Sequence, residues 1–274
     1  KPPKTWPDVE KDAKALKKAG YACGFTTTWP AWIQFEVFTA WQGVPFANCQ
    51  NGLACFATKA LYNNKALRQH LTALKHWQSQ GLFVYGGRGD DAQALFTSGT
   101  CPMMTQSSGA RGALFKVVGF PLGVGPLPYW PNIKTAPQNT SIGGGALWVM
   151  KGQSDATYRG VAAFFTFLLK PQTELQWQKL TGYLPTTIEG YHFAIKKGYY
   201  KTHPGSEVAI KTLQNKPTTL NSRGIRLGNF PLIRDENDNA LEVLLTTHKS
   251  ADKVLKNAVK EVDTALMRFK EINE

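Results

Sequence analysis

Three consecutive glycines, Gly143 to Gly145, stand inside the stretch Thr140–Met150 (TSIGGGALWVM), between a proline-rich polar lead-in and an apolar exit of strand-like composition. Glycine tolerates backbone angles closed to other residues and lets a ligand or a second segment come close to the main chain. The run therefore marks a hinge-like crossing, a binding wall or a glycine-rich surface turn, and the residues alone leave these readings open.

With 274 residues, 42% of them hydrophobic and 12% aromatic, the chain can form one large domain or two medium ones with cores of their own. Its 32 Lys and Arg against 19 Asp and Glu give a net charge of +13, which permits anionic partners. The basic residues are scattered along apolar-periodic segments as solvated helix faces are, so no nucleic-acid motif emerges. The longest apolar runs, Val161–Leu169 and Ala146–Met150, fall short of the ~18–20 residues a membrane-spanning helix needs. The chain opens at Lys1 without the basic and apolar regions of a signal peptide, so such a peptide is expected to have been removed or to lie outside this sequence. Cys23, Cys49, Cys55 and Cys101 lack zinc-site spacing. Cys49 and Cys55 can close a short loop in an oxidising compartment, and free thiols remain equally open.

Thr5, Pro7 and Asp8 cap a helix that runs with apolar residues at Val9, Ala13, Leu16 and Ala19 up to Gly20. Tyr21–Thr28 reads as a buried strand stopped at Trp29-Pro30, and Trp32, Phe35, Phe38 and Trp41 follow at helical spacing, the pattern of core. Asn48–Phe56 reads as loop, Lys65–Gln80 and Asp90–Ser98 as helices, and Cys101–Gln106 as a strand that breaks at Ser107-Ser108-Gly109 before a basic helix. Helices are expected from Ser154 to Leu169, from Pro171 to Leu180, from Thr187 to Lys197 and from Ser206 to Leu213. Two more close the chain, the last with Val254, Leu255, Ala258, Val262, Ala265, Leu266 and Phe269 on one face.

Chemistry-bearing residues gather at the junctions of these elements. Trp29 sits at a strand-to-helix turn, where the carboxyl end of a strand opens onto the crevice of an α/β sheet. Ser107 stands where free N–H groups and a hydroxyl can receive an anion, a geometry that also serves a plain helix cap. Arg234, after Asn229-Phe230-Pro231-Leu232-Ile233, offers a planar fork suited to phosphate or carboxylate; the alternative is a surface ion pair with Asp235, Glu236 or Asp238. The five histidines lie in or beside basic helices, His70 and His76 reading as solvated, and no catalytic, metal-binding or cofactor motif is present, so an enzyme finds little support.

The segments PPKTW (Pro2–Trp6), CGFTTTWPAWIQ (Cys23–Gln34), CPMMTQSSG (Cys101–Gly109), APQNTSIGGGALWVM (Ala136–Met150), TGYLPTT (Thr181–Thr187) and GIRLGNFPLIR (Gly224–Arg234) closely resemble, in order and spacing, the sn-glycerol-3-phosphate-binding proteins of ABC importers. The resemblance implies an α/β fold of the type II periplasmic-binding-protein class, with two lobes joined by a hinge that the chain crosses several times. It implies capture of sn-glycerol 3-phosphate or a glycerophosphodiester, presentation to an ABC permease in the inner membrane, and a periplasmic location. Residue by residue, it makes Trp29 an aromatic wall for the glycerol backbone, Ser107 a hydrogen-bonding position and Gly144 a backbone donor. It makes Tyr183 a hydroxyl donor and Arg234 the phosphate-binding arginine.

The family pattern also includes an earlier segment of more than a hundred residues that supplies a Tyr, a Glu and a Ser to the ligand. The resemblance thus implies an incomplete first lobe, with residues 1–138 and 187–274 belonging to the second lobe and 139–186 to the hinge crossing and the returning piece of the first. Two alternatives stay open: a sugar or oligosaccharide receptor of the same fold, and a truncated lobe acting only as an interaction protein.

Overall fold

A computed structural model describes all residues from Lys1 to Glu274. Helix α1 (Trp6–Lys18) begins at Thr5, whose hydroxyl accepts the Asp8 N–H while the Asp8 carboxylate accepts the Thr5 N–H, the reciprocal cap expected of this sequence. Strand β1 (Phe25–Thr27) is followed by a π-helix, Trp32–Val37, that runs into α2 (Phe38–Gln42). Helices α3 (Asn48–Asn51) and α4 (Lys65–Ser79), strand β2 (Phe83–Val84), helix α5 (Gln93–Thr97), strand β3 (Met103–Thr105) and a 3-10 turn, Ser108–Ala110, come next. The remainder is helical: α6 (Arg111–Val117), α7 (Asp155–Leu168), α8 (Pro171–Thr181), α9 (Ile188–Lys196), α10 (Tyr199–Thr202), α11 (Val208–Leu213), α12 (Phe230–Thr246) and α13 (Ala251–Asn273). None of these helices is long and apolar enough to cross a membrane.

The chain divides into two compact units. The first holds Lys1–Gln106, Gly125–Ser141 and Thr212–Glu274, the second Ser107–Val124 and Ile142–Lys211. This partition differs from the boundaries read from the sequence at 138 and 186. The first crossing lies close by, at 141/142, but the return comes at 211/212, and residues 107–124 go with the second unit. Packing supplies the reason: Ala194 on α9 and Tyr199 on α10 share a small core with Leu175 on α8. Gly182, at the end of α8, also lies against Gly109 and Gly112, where a side chain would press on the Gly109 carbonyl.

In the first unit a parallel sheet of order β2-β1-β3 is the foundation, with Phe25 paired to Phe83 and Met103. β1 is buried throughout, as a central parallel strand covered on both faces must be. The expected stripe on α13 is observed, with Val254, Leu255, Ala258, Val262, Ala265 and Leu266 buried and Phe269 half-buried against Gly228. Val254, Leu255, Ala258, Val262 and Leu266 share one core with Leu241 and Leu244 of α12 and Leu67, Leu71 and Leu74 of α4. Each such large side chain fully buried contributes roughly 1.5–3 kcal/mol. All four cysteines are paired. Cys23–Cys101 ties the lead-in of β1 to that of β3 across 78 residues, and Cys49–Cys55 closes a loop of separation 6 in which Cys49, Gln50 and Asn51 take left-handed angles. On loop-closure entropy the long-range bridge is worth about 4 kcal/mol and the short one about 2.

His70 is a correction to the reading of a solvated helix residue. It is wholly buried on α4, with Nε2 2.8 Å from Gln34 Oε1, Nδ1 accepting the Trp130 Nε1–H at 3.4 Å, and Phe38 stacked on the ring at 4.2 Å. Burial pushes its pKa down to about 3, so the ring is neutral.

The second unit is helical, and one of its surfaces is unusual. α7 carries Val161–Leu168 of the apolar run yet buries none of its residues, and Phe164 and Phe167 are each 51% exposed. Ala146–Met150, expected to be strand-like, pairs with no strand, and Trp148 in it is 86% exposed. The Ser154 cap, which accepts the Thr157 N–H, starts α7, and α8 packs against it only enough to half-bury Val161, Phe165 and Leu168, which leaves Phe164 and Phe167 in the open.

Candidate functional site

Within the first unit the site grows from the carboxyl end of β1. The strand delivers Trp29 into a turn where its φ is +45°, a left-handed angle that a bulky residue adopts at a cost of about 1–3 kcal/mol. The turn is held on every side. The Trp29 N–H donates to the Gly89 carbonyl at 2.6 Å, its own carbonyl accepts the Ile33 N–H at 2.8 Å, and the Ala31 N–H donates to Asp238 Oδ1 at 3.0 Å. The indole is left 43% exposed, so the surroundings hold the backbone in strain while presenting the aromatic face.

Arg234 occupies the first turns of α12, one turn before Asp238, so Trp29 and Arg234 are anchored to the same helix. Its ion pair is not with Asp235, Glu236 or Asp238, the partners weighed from the sequence. Nε donates to Glu36 Oε1 at 2.7 Å and Nη2 to Glu36 Oε2 at 2.8 Å, and the guanidinium lies 5.0 Å from the centre of the Phe230 ring. Glu36 projects from the π-helix and is almost wholly buried, whereas Arg234 is 44% exposed along its side chain. This leaves Nη1 and the second N–H of Nη2 as the outer edge of the fork. Burial raises the Glu36 pKa; the Arg234 hydrogen bonds and charge oppose the shift and Asp238 adds to it. The Arg234 pKa rises on its hydrogen bonds to Glu36.

A second arginine repeats the pattern. Arg88 Nε and Nη2 reach the two carboxylate oxygens of Glu242 at 2.8 and 2.6 Å, Nη2 also meets Asn239 Oδ1, and the Tyr85 hydroxyl donates to Glu242. This network fixes the loop whose Gly89 carbonyl receives Trp29. Asp238 lies between the two arginines, and burial raises its pKa to about 6.

The second unit gathers the other three positions. Ser107 is the cap of the 3-10 turn, its hydroxyl accepting the Gly109 N–H at 3.2 Å. Gly144 has a φ of +117°, and a Cβ built on it would stand 3.5 Å from the Tyr183 ring; the other edge of that ring lies 4.0 Å from the corresponding position of Gly109. Ser107, Gly144 and Tyr183 are therefore brought together around one aromatic ring, itself 49% exposed. The loop bearing Tyr183 is clamped by Glu174, which accepts the Thr186 N–H at 3.2 Å, the Thr187 hydroxyl at 2.7 Å and the Thr186 hydroxyl.

Glu36, Asp238 and Glu242 as organisers of the half-site are additions that the sequence reading did not make. Glu36 had a visible signal: it is the one carboxylate in the apolar stretch Trp32–Trp41, and an acid at a core position demands a partner.

The sequence pattern of the bacterial extracellular solute-binding proteins matches residues 1–191. The sn-glycerol-3-phosphate-binding periplasmic proteins UgpB of Yersinia pestis and of Salmonella typhimurium (strain LT2) are each 39% identical over 273 residues, which is all of this chain and 62% of theirs. The chain thus spans less than two thirds of the length of these relatives. Among solved structures, UgpB from Mycobacterium tuberculosis in complex with glycerophosphocholine superposes with a TM-score of 0.77 at 19% identity, over 98% of this chain and 65% of that one. The cyclic alpha-maltosyl-1,6-maltose binding protein from Arthrobacter globiformis gives 0.72 at 19% identity, over 98% and 66%. The fold is that of the maltose-binding class of periplasmic binding proteins, and the chain belongs to the bacterial extracellular solute-binding protein family.

Proposed function

We propose that this chain carries the ligand-recognition residues of a solute-binding component of an ABC importer, which captures sn-glycerol 3-phosphate or a glycerophosphodiester in the periplasm and hands it to a membrane permease. The observation that carries the reading is Arg234: its fork is held rigid by a buried carboxylate, with the outer edge left for a ligand, on the helix that also braces the exposed Trp29. The whole-chain likeness to relatives named for sn-glycerol 3-phosphate supports it. In this reading Arg234 meets the phosphate, Trp29 shapes the glycerol end, and Ser107, the Gly144 amide and Tyr183 donate hydrogen bonds. No step of bond making is involved. Gly143–Gly145, next to the 141/142 crossing, act as part of a hinge between lobes.

Calorimetric titration with sn-glycerol 3-phosphate tests the assignment. Arg234→Ala should weaken binding by about 2 kcal/mol or more, the scale of a charge-assisted hydrogen bond. Because it also leaves the buried Glu36 without its counter-charge, Arg234→Lys, which keeps a cation beside Glu36 and loses the fork, is titrated with it, and both are first checked for a folded state by circular dichroism. Equal affinity of Arg234→Ala and the wild type refutes the phosphate role. The exposed Trp29 face also suits a sugar ring, so maltose and maltotriose belong in the same titration series; their binding without phosphate binding selects a sugar receptor instead.

A further inference from the structure

The chain carries a net charge of +13, but the neighbourhood of the phosphate-binding candidate is not positive. Two arginines, Arg88 and Arg234, face three carboxylates: Glu36 and Glu242, each hydrogen-bonded to one fork, and Asp238, with Asp235 on the same helix adding a fourth negative group. Each guanidinium has already given two donors to a carboxylate that matches its charge. What Arg234 still presents is direction rather than net charge, an outer edge held at a fixed angle.

Glu36 is the residue that imposes this state. It is nearly excluded from water, reaches Arg234 from a different element, and spans Nε and Nη2 so that the guanidinium cannot rotate. A surface carboxylate could swing aside when an anion arrives, but one that projects from the π-helix into a nearly water-free position cannot. Any phosphate that binds Arg234 therefore shares the arginine with a second anion. The repulsion from that anion grows with each charge the ligand carries.

We infer that Glu36 is a specificity-determining residue for this site: by orienting Arg234 and cancelling its charge it favours a singly charged phosphodiester over a doubly charged phosphate monoester. The inference deepens the proposed function and rests on its placement of phosphate at Arg234.

The test is calorimetry at pH 8, where a monoester is a dianion because its second pKa is about 6. The two probes are sn-glycerol 3-phosphate and glycerophosphoglycerol, a diester without a cationic headgroup. Wild type should bind the diester at least as tightly as the monoester. Glu36→Gln keeps an oxygen for Arg234 and removes the charge, and should move the affinity ratio toward the monoester by about tenfold, while Glu36→Asp should return it toward wild type. A merely structural role would weaken both ligands alike and leave the ratio where it was. An unchanged ratio in folded Glu36→Gln, or a wild type that prefers the monoester tenfold, overturns the inference; the wild-type ratio decides alone if the buried variant does not fold. A wild type that binds neither probe overturns the underlying reading instead.

Discussion

Asp238 offers a sharp test of how the Trp29 turn is held. Its carboxylate accepts the Ala31 N–H, and burial, with help from Glu242 and Asp235 against the pull of Ala31 and Arg88, holds the acid at about 6 rather than the ordinary 3.8. Below pH 3.8 the group is protonated in both the folded and unfolded chain. Between 3.8 and 6 the unfolded chain releases the proton and the folded chain keeps it, so this group's contribution to stability falls as pH rises and levels off above about 6. At ~1.36 kcal/mol per pH unit the full difference is about 3 kcal/mol, and the water that still reaches a half-buried carboxylate reduces it to about 1–2 kcal/mol. Asp238→Asn keeps an oxygen for the Ala31 N–H and removes the ionisation. Urea unfolding of both proteins, followed by tryptophan fluorescence at pH 4, 6 and 8, should find the variant more stable by about 1–2 kcal/mol at pH 8 and by only a few tenths at pH 4. The titration of His70 is common to both proteins and cancels in the difference. A variant that is less stable at pH 8, or a difference independent of pH, would refute the reasoning.

Two further predictions concern the second unit. Gly190→Ala places a methyl where a Glu174 carboxylate oxygen sits, so it should destabilise by about 1–3 kcal/mol and loosen the Tyr183 loop, read by thermal unfolding and by faster amide exchange at Thr186 and Thr187. Phe164→Lys with Phe167→Lys, on the uncovered sides of α7, should change stability by no more than about 0.5 kcal/mol each and lower the binding of an apolar dye; a loss above 2 kcal/mol would mean that the face is packed.

The fold was legible where local signals were strong. The Thr5 box, the start of α7 at Ser154, the stripe on α13 and the helix ends expected at Gln80 and Leu180 all stand within a residue or two of their sequence readings, because each is decided by its own few residues. Elements that depend on distant partners were not. β2 is only Phe83–Val84, too short for any periodicity, and exists because β1 lies beside it. Ala146–Met150 has strand composition and no strand, because composition supplies one edge and pairing needs another. His70 shows the same limit: the helix that carries it was clear, but the Phe38, Trp6 and Trp130 rings that enclose it come from three other segments.

The candidate site follows that division. Positions at element junctions could be named, because a tryptophan ahead of proline, a serine ahead of Ser-Gly and an arginine after Phe-Pro-Leu-Ile are unusual placements that ask for a reason. Their partners could not. The local acids weighed for Arg234 lie one, two and four residues away along its own helix, yet the partner is Glu36, 198 residues earlier. Physics favours the distant carboxylate. A buried acid without a counter-charge is far more costly than an exposed one, so the fold must bring Glu36 an arginine, whereas Asp235 on the surface can be left to water. The same demand fixes the rotamer of Arg234 before any ligand arrives. An arginine chosen by a helix neighbour would be mobile and screened; one claimed by a buried carboxylate is aimed, and recognition of a phosphate depends on that aim more than on the chain's overall positive charge.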